Sequence, residues 1–162
     1  MPQPLATIRP SATIALATAS LAIAALLGAA PSYAKTAHAA GSTVHVIEHA
    51  DTDTEVRGVG GKDVKGNILT FNNPIFDVAN KNQLGHDEGF CVRLQVKLGI
   101  WECLWTTFLK GGQITVQGPF YDTRNSELSI TGGTGAYRRA RGQMDLKSRN
   151  GGKEYDFIFH LA

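Results

Sequence analysis

Charge of one sign is scarce in this sequence. Across 162 residues, 16 lysines and arginines face 14 acids, a formal charge of +2. That is far from the basic excess with which a protein grips a phosphate backbone, so nucleic acid is not an expected partner. Metal ligands are thinly supplied as well. The five histidines, His38, His45, His49, His86 and His160, fall in separate segments. His45 and His49 are four apart, which would bring them together on a helix, but in a strand they stand about 13 Å apart, too far to share an ion. With only two cysteines, no zinc-type ligand set can be assembled, and neither a metal nor a cofactor is expected. The GGTG run at 132–135 lacks the Lys and Ser or Thr that follow in a phosphate loop, and no helix opens after it. Beyond residue 34 there is no amphipathic helical stretch, no internal repeat and no run that could cross over a parallel sheet. Helical bundles, solenoids and parallel α/β folds are set aside.

Long hydrophobic runs are absent with one exception. Arg9 is followed by an uncharged stretch from Ser11 to Ala30, and small residues stand at Ser32 and Ala34. This pattern predicts a secretory signal over residues 1–34, with cleavage before Lys35 and a second candidate site at Ala37–Ala39. The competing reading is an uncleaved anchor, since about 20 apolar residues span a bilayer; alanine richness and the small residues favour cleavage, after which no stable membrane insertion is expected. Residues 35–42, small and polar without periodicity, read as a disordered leader. Residues 43–162 then form one domain, long enough for a real core at 43% hydrophobic content.

What this domain does contain is alternation. Val44, Val46 and Glu48 alternate with His45, Ile47 and His49 in a first strand. Residues 50–63 read as a long loop with room for one short strand. A second strand in 66–77 is closed by Asn72, Asn73 and Pro74, which favour a turn, and 78–89 reads as another polar loop. FCVRLQV and WECLWTTFL pair as a hairpin turning near Lys97 to Gly99. From Gly112, Gln113, Thr115 and Gln117 alternate with Ile114, Val116 and, past Gly118, Phe120, placing the two sets on opposite faces. Gly132, Gly133 and Gly135 predict a sharp corner using positive φ, and an aromatic strand closes the chain at 154–161. About eight short strands at even spacing predict an all-β fold: a single antiparallel barrel, with a sandwich as the alternative.

VQGPF followed by SELSITGGTGAYRRARGQMDL, with GNILTFNN and GFCV upstream and YDFIFHL downstream, resembles the core signature of the allene oxide cyclase and dirigent-protein barrel superfamily. The resemblance covers roughly the last hundred residues and implies an eight-stranded antiparallel barrel with an apolar interior, associating as a homotrimer. It also implies site residues. Glu48 stands where allene oxide cyclases hold a cavity acid near a substrate-derived cation; Asn73 matches a cavity asparagine that holds a water on the substrate oxygen; Cys91 matches a cavity-lining cysteine. Two positions after the acid, where those enzymes carry a second water-binding asparagine, this chain has Ala50, and DTDTEV replaces the serine and proline expected beyond it. The paired aspartates of dirigent proteins are not recognisable.

The residues support a coherent chemistry of their own. A glutamate in an apolar barrel has its pKa raised by desolvation and can move a proton or stabilise a carbocation, while an amide such as Asn73 orients a water or carbonyl. The alternative places Glu48 in solvent and Asn73 as a turn cap. Cys91 and Cys103 fall opposite each other if the hairpin turns at Lys97, and in an exported chain they form a disulfide; a reactive thiolate is the other reading. Trp101 and Trp105 share one strand face and read as core. Arg138, Arg139 and Arg141 read as a solvated corner. Two functions follow: a secreted barrel that binds an apolar small molecule and catalyses or steers its cyclisation or isomerisation through Glu48 and Asn73, or a non-catalytic extracellular barrel that binds a lipid-like ligand or serves structurally.

Overall fold

The computed structural model describes residues 41–162. The expected signal segment and the leader up to residue 40 lie outside the described residues. Gly41 and Ser42, assigned by sequence to the leader, are already tied to the last strand through Gly41 N–H to Leu161 O (2.6 Å) and Leu161 N–H to Ser42 O (2.8 Å).

Nine strands follow: β1 Thr43–His49, β2 Thr54–Val56, β3 Ile68–Phe76, β4 Gln83–Gln95, β5 Ile100–Leu109, β6 Gly112–Tyr121, β7 Ser126–Gly133, β8 Gly142–Arg149 and β9 Glu154–Leu161. All neighbours are antiparallel, in the order β1-β9-β8-β7-β6-β5-β4-β3-β2, and β1 also pairs with β3 through Ile47↔Phe76 and Glu48↔Ile75. That last pairing closes eight strands into a barrel. The short β2 extends the sheet beyond β1, pairing with the start of β3.

The alternation read in β6 holds. Ile114 and Val116 are fully buried among Phe159, Met144, Leu128 and Ile130, while Thr115 bonds across to Thr106 (Oγ1 to Oγ1, 3.1 Å) on the outer face. A charge at Val116 would be stranded in this core, so Val116→Asp is expected to cost about 4 kcal/mol or more, against about 1 kcal/mol for Thr115→Asp. Urea denaturation of the two variants checks this, and equal tolerance would mean the inward register is wrong.

Three readings need correction. Asn72, Asn73 and Pro74, expected to close the second strand, lie inside β3 and stand opposite Glu88, Asp87 and His86 of β4. The polar segment assigned to a loop over 78–89 enters β4 at Gln83, because Asp87 points inward at 0% exposure. A buried acid in the middle of the segment breaks the apolar alternation by which a strand is recognised. The glycine corner also works differently from expectation. Only Gly135 among its three glycines has positive φ (+60°). Gly133 lies in β7, where a Cβ would stand 2.4 Å from the Tyr137 carbonyl oxygen, so close approach of backbone requires it.

Near the β4–β5 turn, buried Arg93 ties the barrel to its loops. Its Nε donates to Asp63 (3.1 Å) and its Nη1 to Asp122 (2.6 Å), while the guanidinium lies 3.8 Å from the centre of the Trp101 ring. Trp101 Nε1 donates to the other Asp122 oxygen (2.8 Å). Trp101 is thus core, as its position on the strand implied.

Candidate ligand cavity

Inside the barrel, beside the Cys91–Cys103 pair, lies a cavity of about 100 Å³. Its walls are aromatic, from Phe71, Trp105, Phe120, Tyr155 and Phe157, with Leu69 and Leu146 completing the apolar surface. Strand register explains this grouping: inward positions alternate along every strand, and neighbouring strands bring their inward residues side by side. The rings meet edge to face, Phe71 on Trp105 (6.1 Å) and Phe120 on Tyr155 (5.9 Å). Trp105, expected as core, is a cavity wall as well.

Cys91 and Cys103 stand directly opposite in β4 and β5, 4.0 Å apart at Cα, and are joined in a disulfide. Both also line the cavity. The bridge closes a short loop and by chain entropy contributes about 3 kcal/mol.

Two acids face this apolar space, Glu48 from β1 and Asp53 from the loop after it. Glu48 is only 5% exposed. Its Oε1 accepts a hydrogen bond from Asn73 Nδ2, and its Oε2 has no partner among the described residues. The same Asn73 nitrogen donates to Asp53 Oδ1 (2.8 Å). Asn73 Oδ1 in turn accepts from the Thr52 backbone N–H (2.8 Å) and hydroxyl (2.9 Å). The amide has therefore filled both donors and both lone pairs with protein groups. Asn73 lies behind the cavity wall at 0% exposure, and its geometry is that of a clamp that fixes the two acids and pins the 50–53 loop across the barrel.

A third acid supports this layer. Asp87, opposite Asn73 in β4, accepts the Asn73 backbone N–H at Oδ1 (3.3 Å), while its Oδ2 and the Oγ1 of cross-strand Thr107 have no partners among the described residues. Burial holds Glu48 well above the ordinary carboxylate range, and the charges of Asp87 and Asp53 push the same way against the Asn73 hydrogen bond. Burial likewise lifts Asp87 to about 8, and raises Asp53. Glu48 thus favours its acid form, and since Oε1 receives an N–H, the proton belongs on the free Oε2. Tyr155, directly opposite Glu48 in β9, has its phenol pushed up to about 12, by burial first and then by the charges of Glu48, Asp53 and Asp122. It stays a hydrogen-bond donor at every physiological pH.

Sequence reasoning found Glu48, Asn73, Cys91 and Cys103, and the structure brings all four to this layer. It missed Asp53, Asp87 and Tyr155. Asp53 sits in the DTDTEV run that departs from the resembled pattern, and that departure was its one signal. Asp87 had none, being one polar residue among many in its segment. Among the described residues the histidines form no cluster: His45 bonds Asp156 (2.8 Å), and His49 bonds Asn80 (2.7 Å) while stacking on Phe76.

A closed antiparallel barrel defines a class of fold, and comparison with known proteins places the chain within it. The model of the dirigent-like protein family matches residues 32–161, and the chain belongs to that family. Among solved structures, pyocyanin demethylase is similar at 20% identity, covering 75% of this chain and 100% of its own, with a TM-score of 0.66. A pterocarpan synthase dirigent protein is 20% identical over 75% of this chain and 96% of its own (TM-score 0.60). A Diels–Alderase from Streptomyces koyangensis is 11% identical over 75% of this chain and 69% of its own (TM-score 0.57). At these identities the likeness is one of fold.

Proposed function

We propose that this barrel binds an apolar small molecule and promotes its cyclisation or isomerisation, with Glu48 as the group that gives and takes back a proton. One observation carries the reading: a buried glutamate at the wall of an aromatic cavity has one oxygen held by a buried amide and the other without a hydrogen-bond partner among the described residues. A buried unpaired carboxyl is costly to keep, and such sites cluster where chemistry is done. In the acid form, Oε2 protonates a ligand oxygen. The carboxylate left behind and the faces of Trp105 and Phe71 then stabilise the cation that forms, and the proton returns as the ring or double bond closes, so the step is balanced without a co-reactant. Asn73 serves as a positioning residue, and Tyr155 supplies a second donor to the ligand oxygen. The names of two similar structures, a pterocarpan synthase dirigent protein and a Diels–Alderase, accord with ring-forming or coupling chemistry in this fold.

A ¹³C NMR titration of the Glu48 carboxyl, with and without phenol as probe, tests the site. The expected result is a proton retained well above the ordinary glutamate range of about 4.3, and a resonance that moves when phenol is added. A carboxyl titrating in the ordinary range and indifferent to phenol would overturn it. The second reading, a binding barrel without catalysis, has its own support in the saturated Asn73 amide, which is itself not free to hold a water.

Export belongs to the same proposal, supported by the disulfide and by the uncharged run at Ser11–Ala30; full-length chain found only in membranes would count against it. So does self-association, supported by the exposed Val56, Ile68, Phe90 and Leu104 on the outer faces of adjoining strands β2 to β5. A monomer by light scattering at high concentration would exclude it.

A further inference from the structure

The cavity is too small for most of the molecules that such a reaction would use. An enclosed space of about 150 Å³ accommodates benzene, so about 100 Å³, opening at one side, admits one ring-sized group and little more. The rest of any larger ligand must lie outside, and the structure shows where. Tyr155 is a wall of the cavity and also of a separate cleft of about 250 Å³ on the rim, between the β6–β7 and β8–β9 connections. That cleft is polar where the cavity is apolar. Besides Tyr155 it presents Arg124, Asn125, Ser148 and Tyr121, with Asp122 at its edge.

The free groups in the cleft define what it would hold. Arg124 lies 3.8 Å from the centre of the Tyr121 ring and forms no ion pair among the described residues, so its N–H donors remain open. Asn125 Oδ1 accepts the Ser148 backbone N–H (3.4 Å), and among the described residues the Asn125 Nδ2 donor and the Ser148 hydroxyl have no partner. Both Asp122 oxygens are taken by Arg93 and Trp101. Donors and hydroxyls therefore dominate, which suits a partner rich in hydroxyl and ether oxygens. A carboxylate partner fits worse, because Asp122 lines the cleft and Asp53 lines the cavity, one acid in each of the two spaces that share Tyr155 as a wall.

We propose that the ligand is bipartite: a single-ring apolar head fills the cavity, and a neutral, hydroxyl-rich tail of about sugar size occupies the rim cleft, held by Arg124, Asn125 and Ser148 beyond Tyr155. This rests on the cavity being the ligand site and adds the class of molecule that site takes.

The test uses phenol, phenyl β-D-glucopyranoside and 3-phenylpropionate as probes, titrated into the whole protein. Binding is followed by calorimetry and by the indole N–H resonance of Trp105, whose Nε1 is unpartnered at the cavity wall. The glucoside is expected to bind about tenfold more tightly than phenol, the yield of one or two net hydrogen bonds, and the propionate no more tightly than phenol. Arg124 is exposed, so Arg124→Ala should fold and should reduce the glucoside's advantage to within about threefold, with phenol as the internal reference. Equal affinity for glucoside and phenol would overturn the rim subsite while leaving the cavity reading in place. A propionate that binds most tightly would overturn the neutral tail. If neither phenol nor the glucoside moves the Trp105 resonance, the cavity reading and the bipartite ligand fall together.

Discussion

Raising the pH from about 4 to about 8 is expected to destabilise this protein by several kcal/mol, and Asp87→Asn to remove much of that loss. Asp87 is wholly buried beneath the cavity layer and keeps its proton in the folded chain to about pH 8. Unfolded, it loses that proton near the ordinary aspartate value of about 3.9. Between those two points the folded state binds more protons than the unfolded state, so stability falls as pH rises. Below about 4 both states hold the proton and Asp87 makes no difference; above about 8 both are ionised and the full penalty stands. Glu48, raised in the same direction, adds to the slope. Glu55 and Asp145, lowered by their hydrogen bonds to Asn67 and Gln143 first, act at lower pH and in the opposite sense. An asparagine at 87 keeps the acceptor for the Asn73 N–H, and its cross-strand neighbour Thr107 carries an Oγ1 without a partner among the described residues. Thermal denaturation across the pH range should show the variant more stable than the parent at pH 8 and nearly equal at pH 4. A parent curve flat over that interval, or a variant no better at pH 8, would mean that the Asp87 charge is solvated in the native state.

The same residue shows where the sequence stops being legible. Apolar alternation in β6, the Cys91–Cys103 register and the aromatic β9 were readable because each position obeys a period-two rule set by burial. Asp87 and Asn73 break that rule. Both are polar and both are fully buried, joined by one hydrogen bond from the Asn73 backbone N–H to Asp87 across a strand pair that composition does not announce. Tyr155 was legible as a strand residue but not as a site residue, because its role depends on standing opposite Glu48, a pairing between chain segments more than a hundred residues apart. The resemblance makes Asn73 a cavity amide holding a water, whereas it lies behind the cavity wall; its four hydrogen bonds, and hence its geometry as a clamp, depend on Thr52 and Asp53 folding back from the β1–β2 loop.

Replacing Glu48 by Gln should separate catalysis from binding. Once mass spectrometry of ligand co-purified from the exporting cells supplies a substrate, the Glu48→Gln variant is expected to lose tenfold to a thousandfold in kcat, roughly what a positioned acid-base or electrostatic group contributes. Its KM should change little. Gln matches the shape of Glu, its Oε1 still accepts from Asn73 Nδ2, and the cavity walls are untouched; what disappears is the proton on Oε2 and the negative charge left after its transfer. If Glu48 acts as an acid, the parent's rate should also decline at high pH as its raised pKa is passed, and the residual rate of the variant should be insensitive over that range. A variant with the parent's kcat would remove the catalytic proposal and leave a binding barrel. The saturated amide of Asn73 and the alanine at position 50 make that alternative physically specific: the barrel would keep an acid inside only to hydrogen-bond a ligand oxygen, and Glu48→Gln, with its own N–H donor at the same place, would bind that ligand as well as the parent does.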